Sequence, residues 1–462
     1  MSAPARRPGS QPEPAAAPIR LLLSGGGHRA TIGSLGAVAY LAHSGRWSDV
    51  DEVVSVSGGS MANAALATAC QDEDIWSVVG TAVKEIDQDY GRVFANKRRG
   101  LIFARYAMGL LVVLGVVGLA LGLGPSVPSA ASFLVGALAI PVFARIAGLC
   151  ANALTRDFIE VVSSRRDAVL SADEQSSRAH IFCASGLSSG APYLLWTGRP
   201  FTPGSEPTWG TTLQAPYTVV DAALASVSLP LLGRVRSPRD TRTASGALSG
   251  GEILVDGGVS GIFGDQVMTP FRRTPADTHR AAPREFLAID AGRHLSSPPP
   301  LVRTLERFSV SATLMRWLKA SLEATYVNDL VDLAPSSLVR ICEDDRVIGP
   351  VPGDDNAEAE SVTTTGMSPA LALRLAPAPS VAAKVPAEVT TRLASLREQV
   401  AGVSLMNVNS ERISTVLTTG FVATMVKLDP PSSVNDVFDA LVAAEQRLNL
   451  DNRLSAVWEQ EG

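Results

Sequence analysis

The stretch Val53 to Leu66, Val-Val-Ser-Val-Ser-Gly-Gly-Ser-Met-Ala-Asn-Ala-Ala-Leu, constrains the fold more than any other part of the chain. Its apolar run, Val53 to Val56, predicts a buried strand, and the small residues after the two glycines predict a helix. Ser57 then sits on a tight strand-to-helix turn. That geometry lifts its hydroxyl clear of the sheet and aims a helix N-terminus at whatever bonds to it. The pattern is that of a nucleophile elbow, Gly-x-Ser-x-Gly, with serine for the first glycine: Ser55-Val56-Ser57-Gly58-Gly59. Taken alone, it reads equally as a strand running into a Gly-Gly turn.

Upstream, Ile19 to Leu23 predicts the first strand. The loop Ser24-Gly25-Gly26-Gly27-His28-Arg29-Ala30 follows, and then a helix from about Thr31 to His43 closed by Gly45. A strand, glycine loop and helix present backbone N–H groups to an anion. Two anions compete. Gly25-x-Gly27-x-x-Ala30 fits the dinucleotide fingerprint, with Asp49 about twenty residues on. The other anion is the oxyanion of an acyl-transfer intermediate, held by the N–H groups of Gly26 and Gly27. A glycine turn that binds nothing is the third reading. The next strand carries a serine elbow and no acidic ribose clamp at its end, which favours the oxyanion.

A third element comes far downstream. Glu252-Ile253-Leu254-Val255-Asp256-Gly257-Gly258 is a short apolar strand ending in an aspartate on a Gly-Gly turn. The Gly25-Gly26-Gly27-His28-Arg29 loop, the Ser57 elbow and this Asp-Gly-Gly motif, in that order, resemble the patatin-like phospholipases. The resemblance implies a patatin-like α/β fold, a three-layer sandwich with a mostly parallel central sheet. It also implies a Ser57–Asp256 dyad that cleaves carboxylic esters of membrane lipids through an acyl-enzyme, without cofactor. Gly26, Gly27 and Gly58 would then form the oxyanion hole, supported by Gly25, Gly59, Gly257 and Gly258. Arg29 would order the loop, meet anionic lipid or form a surface salt bridge. Ser226-Val227-Ser228-Leu229-Pro230 resembles the family's pocket-lining segment and reads equally as a helix end broken by proline. The family's asparagine beyond Asp-Gly-Gly is missing from Gly261 to Gln266.

The chain departs from the simplest family pattern between these motifs. From Tyr106 to Ala144 no residue is charged. As a helix, Tyr106 to Gly124 would be about 28 Å long, near the thickness of a hydrocarbon core. A Gly124-Pro125 turn follows, then a second apolar stretch with Pro141. Lys97, Arg98, Arg99 and Arg105 flank one end, and Arg145 and Arg156 the other. The sequence thus predicts an inserted transmembrane helical hairpin with both ends cytoplasmic; a buried helical hairpin is its rival. Membrane contact would run through residues 106–150. The predicted organisation is a disordered leader (1–18), a first part of the hydrolase domain (19–96), the hairpin (97–156), a second part carrying Asp256 (157–300), and a mainly helical C-terminal part (301–462) that covers the sheet or forms a lid.

Composition narrows the function classes. The formal charge of −5 over 462 residues gives no case for nucleic-acid binding. Four separated cysteines with no Cys-x-x-Cys predict reduced thiols, and no histidine pairing suggests a metal site. Within the hydrolase reading, a Ser-His-Asp triad using His294 or His279 competes with the dyad. Outside it stand a dinucleotide enzyme and a non-catalytic membrane protein that keeps the fold for binding a lipid or partner. Further strands are predicted at His180–Ser185, Tyr193–Thr197, Phe286–Ile289 and Leu338–Cys342. Helices are predicted at Asp74–Tyr90, Arg156–Ala172, Val219–Ala225, Val302–Thr325, Glu388–Val400, Asn409–Lys427 and Val434–Leu448.

Overall fold

Strands β1 (Ile19–Leu23) and β3 (Ala179–Gly186) are buried at every position, so the sheet they share is covered on both faces. The computed structural model describes residues 18–69, 73–90, most of 155–228, short strands between 235 and 249, 253–259, 285–291, 338–340, 385–402 and 410–461. Among these, the central sheet has nine strands and is mostly parallel. Strands β11 (Leu338–Arg340), β10 (Glu285–Asp290), β1, β2 (Val50–Val56) and β3 lie side by side in that order, all parallel. Strand β4 (Pro192–Gly198) returns antiparallel along β3, and β5 (Thr211–Leu213) runs parallel to β4. Strand β6 (Val235–Arg236) pairs with β9 (Ile253–Asp256), while β7 (Thr241–Arg242) and β8 (Leu248–Ser249) form a separate ribbon.

The charge inside β1 has a partner. Arg20 is the register neighbour of Glu52 on β2, and its Nε donates to the Glu52 carboxylate. Burying either charge alone would cost several kcal/mol or more; burying both in contact removes most of that penalty.

A row of helices crosses one face in the order of the strands. Helix α4 (Val219–Val227) packs on α2 (Gly58–Thr68), α2 on α1 (His28–His43), and α1 on α6 (Ser410–Leu428), which reaches β11. The α1–α6 crossing is close because glycines face backbone there. A Cβ on Gly36 would lie 2.2 Å from the Leu417 carbonyl, and one on Gly420 would lie 2.2 Å from that of Gly33. The C-terminal region therefore supplies a helix of the layer that covers the sheet. Helix α3 (Ile75–Glu85) packs on α1 and α2, α5 (Ala387–Gly402) on α6, and α7 (Val434–Leu448) on α3. Helix α8 (Arg453–Gln460) is capped by a buried carboxylate: Glu445 accepts from the N–H groups of Leu454 and Ser455.

Two expectations change. The helix predicted over Arg156–Ala172 ends at residue 162. The chain is captured there by the end of α2, where the Ser164 N–H donates to Thr68 Oγ1 and Arg165 Nε to the Thr68 carbonyl. Val169 then forms a bridge with Thr218. Asp49, the ribose clamp of the dinucleotide reading, lies in the turn before β2. Because β1 and β2 are parallel, this is the opposite end of the sheet from the glycine loop. No helix among the described residues is long and apolar enough to cross a membrane. The apolar segment 106–150, residues 1–17 of the predicted leader, His279, His294 and the helix predicted over Val302–Thr325 lie outside the described residues.

Candidate active site

Strand β3 brings Ser57 and Asp256 together. One edge of β3 pairs with β4 from Ala179 to Ser185. The other edge is shared end to end. Strand β2 pairs with Ala179 to Cys183, its last partner being Val56 opposite Cys183. Strand β9 then takes over antiparallel, with Asp256 opposite Ala184. Two strands separated by about two hundred residues thus meet tip to tip. The residue after Val56 is Ser57, and the tip of β9 is Asp256.

Ser57 has φ 51° and ψ −123°, a conformation that L-residues rarely adopt. Such backbone costs about 1–3 kcal/mol and is held only where the surroundings enforce it. Its hydroxyl favours the charged form of the Asp256 carboxylate. Asp256 is 6% exposed, and burial pushes its carboxyl up to about 6 from an ordinary 3.8. The Ser57 hydroxyl and the Gly258 N–H, which donates to Oδ1 at 2.8 Å, work against that rise without cancelling it. The backbone of Asp256 is fixed as well, its N–H donating to the Ser228 carbonyl at 2.7 Å. Gly257 lies so close to β3 that a Cβ would meet the Cys183 carbonyl at 2.2 Å.

The glycine loop faces this pair. A Cβ on Gly25 would lie 3.3 Å from that of Ser57. Gly26 and Gly27 have φ of 145° and 62°, the region open to glycine, so the loop can fold over the serine. Gly58 touches Gly27 directly: a Cβ there would be 2.2 Å from its carbonyl oxygen and 2.6 Å from its nitrogen. The loop and the elbow are therefore packed backbone to backbone. Gly58 is the first residue of α2, whose opening N–H groups have no partner within the helix. The next N–H, that of Gly59, is used by the Ser24 carbonyl at 3.0 Å.

Three side chains lock the loop in place. Thr31 Oγ1 lies 2.9 Å from the Gly58 carbonyl and 3.3 Å from that of Gly27, clipping loop to elbow. Ser24 Oγ accepts the Ala291 N–H at 2.9 Å. Arg29 is buried, and its Nε donates to the Ala291 carbonyl at 3.0 Å, so it ties the loop to the end of β10 and does not face solvent. His28, also buried, sets its ring edge-on to Phe158 at 4.3 Å. Thr31 and Ser24 carry no motif of their own. Their position beside the glycines was the only sequence signal for them.

The structure thus gathers Gly25, Gly26, Gly27, Arg29, Ser57, Gly58, Gly59, Asp256, Gly257 and Gly258 at one end of the sheet. Among the described residues, no group of His, Cys, Asp or Glu side chains could hold a metal ion. Fold and site together define an α/β protein with a serine on a strained strand-to-helix turn, a buried carboxylate beside it and a glycine loop across from both. No protein-family model matches the chain, and no curated protein matches it in sequence. Among solved structures, the crystal structure of VipD from Legionella pneumophila matches at 12% identity. The match covers 96% of this chain and 91% of that one at a TM-score of 0.26, too low to bear on fold or activity.

Proposed function

We propose that the protein is a serine acyl hydrolase of the patatin-like kind, cleaving carboxylic ester bonds of membrane phospholipids through a Ser57–Asp256 dyad. The observation that carries this reading is the meeting of the β2 and β9 tips on the β3 edge, which sets the strained Ser57 beside a buried carboxylate that its hydroxyl acts on. In a Ser-His-Asp triad an imidazole stands between the two; here the Ser57 hydroxyl acts on the carboxylate itself. A serine hydroxyl is a poor nucleophile until a base takes its proton. Asp256 takes it as Ser57 attacks the ester carbonyl. The negative charge on the carbonyl oxygen falls to the N–H groups of Gly26, Gly27 and Gly58. Each such donor is worth about 2.7–4 kcal/mol of barrier. Asp256 returns the proton to the departing alcohol, leaving an acyl group on Ser57. Water, deprotonated by the same carboxylate, then attacks the acyl carbonyl; the bond to Ser57 breaks, the serine oxygen takes the proton back from Asp256 and the fatty acid leaves.

The lipid substrate class rests on location. The charge-free stretch from Tyr106 to Ala144, with basic residues on both flanks, would place the site beside a membrane surface, on its cytoplasmic side. Vesicles of anionic phospholipid test the reading. The full-length protein is expected to release free fatty acid, with rate rising tenfold per pH unit below about 6 and levelling above it, and Ser57→Ala is expected to release none. A well-folded protein inactive on vesicles and on short-chain esters alike overturns it.

A further inference from the structure

The N–H of Ser57 is not part of the oxyanion hole. It donates to Ser226 Oγ, at the end of α4, at 3.1 Å. Ser226 Oγ in turn lies 2.6 Å from the Cys183 carbonyl on β3 and 2.7 Å from Ser60 Oγ. Ser60 Oγ is 3.0 Å from Ser55 Oγ, which is 3.0 Å from the Ile181 carbonyl. Asn63 Nδ2 reaches Ser55 Oγ at 2.9 Å and the Ile181 carbonyl at 3.2 Å. Asn63 Oδ1 faces His180 Nδ1 at 2.8 Å. Ser55, Ser60, Asn63 and Ser226 are wholly buried.

The protons in this chain can be assigned. Asn63 places one amide atom against a carbonyl, which only accepts, so that atom is nitrogen and the oxygen faces His180. His180 therefore donates from Nδ1 and is neutral; burial and the nearby Arg178 push it down to about 3. Ser226 donates to the Cys183 carbonyl. Ser60 donates to Ser55, and Ser55 donates to the Ile181 carbonyl, which Asn63 also reaches. The close contact between Ser60 and Ser226 adds a further link. The side chains thus join His180, Asn63, Ser55, Ser60 and Ser226 in one buried network anchored on β3.

We propose that Ser226 is a positioning residue for the candidate nucleophile: its hydroxyl, held by the Ser55–Ser60–Asn63 chain, anchors the Ser57 N–H and keeps the elbow in its strained conformation. The inference rests on the acyl-hydrolase reading for its functional meaning, but not for the anchor itself. It also gives a reason for serine where the elbow pattern has glycine. Ser55 carries the hydroxyl that links Asn63 to Ser60.

Amide hydrogen exchange of the peptide spanning Ser57, together with the rate of Ser57 labelling by a fluorophosphonate, tests it in the full-length protein. The wild-type Ser57 amide is expected to be protected. Ser226→Ala should raise its exchange rate and lower the labelling rate, each about tenfold for one lost hydrogen bond, and Ser226→Thr should restore both. A wild-type Ser57 amide that exchanges like a free peptide overturns the anchor even if the alanine variant does not fold. So does a folded Ser226→Ala protein that matches the wild type in both rates. Absent labelling of the wild type counts against the hydrolase reading instead, and the exchange data then judge the anchor alone.

Discussion

Asp256→Asn is expected to abolish ester hydrolysis while making the fold more stable. Loss of a general base costs about 10²–10⁴ in rate. Asparagine keeps an oxygen for the Gly258 N–H and removes only the charge. That charge is a burden on the native state. The carboxyl is held at about 6 in the fold against 3.8 ordinarily, so the folded protein binds this proton more tightly than the unfolded chain does. The cost of ionising it is absent below the unfolded value. It grows as pH rises from about 4 to about 6 and is complete above that. About two pKa units correspond to about 3 kcal/mol. Chemical denaturation should therefore find the variant more stable than wild type by up to about 3 kcal/mol at pH 8 and equal to it near pH 3. Equal stability at both pH values would show that the carboxylate is not desolvated.

Gly58→Ala is the second large effect, and it acts through geometry. A methyl group at this position would lie 2.2 Å from the Gly27 oxygen and 2.6 Å from its nitrogen, well inside contact distance. Neither neighbour is a flexible side chain. The loop must move off the elbow, and the Gly27 and Gly58 N–H groups lose their common focus. Overpacking of this kind costs about 1–3 kcal/mol. Displacement of one oxyanion donor costs about 10²–10³ in rate. The expected result is a folded protein, less stable by that amount, with activity on short-chain esters down at least a hundredfold. Unchanged activity would mean that the glycine loop takes no part in the chemistry.

The elements that sequence reads well are those whose signal is local. The Val53–Val56 run, the glycine pair after the serine and the apolar spacing of Val434–Leu448 each carry their structure within a short stretch. The dyad was legible for the same reason, since Ser57 and Asp256 each end an apolar strand on a glycine pair. What brings them together was not. The handover of the β3 edge from β2 to β9 depends on pairing between Cys183, Ala184 and residues far away on both sides. The chain beneath the elbow was hidden too. Ser55, Ser60 and Ser226 look like any small residues, and their hydroxyls acquire meaning only when α4 is laid against α2. Helix α6 reads from its own apolar spacing, yet its place beside α1 is set by Gly36 and Gly420, residues that carry no such message in isolation. The Arg156–Ala172 helix failed because Thr68, nearly a hundred residues earlier, captures the chain at Ser164.

If Ser57 is a nucleophile activated by Asp256, it reacts with a fluorophosphonate, and mass spectrometry of the modified peptide from detergent-solubilised protein shows where. One adduct is expected, on Ser57, absent from Ser57→Ala and strongly slowed in Asp256→Asn. A folded wild-type protein that forms no adduct, or forms it on another serine, would contradict this activation.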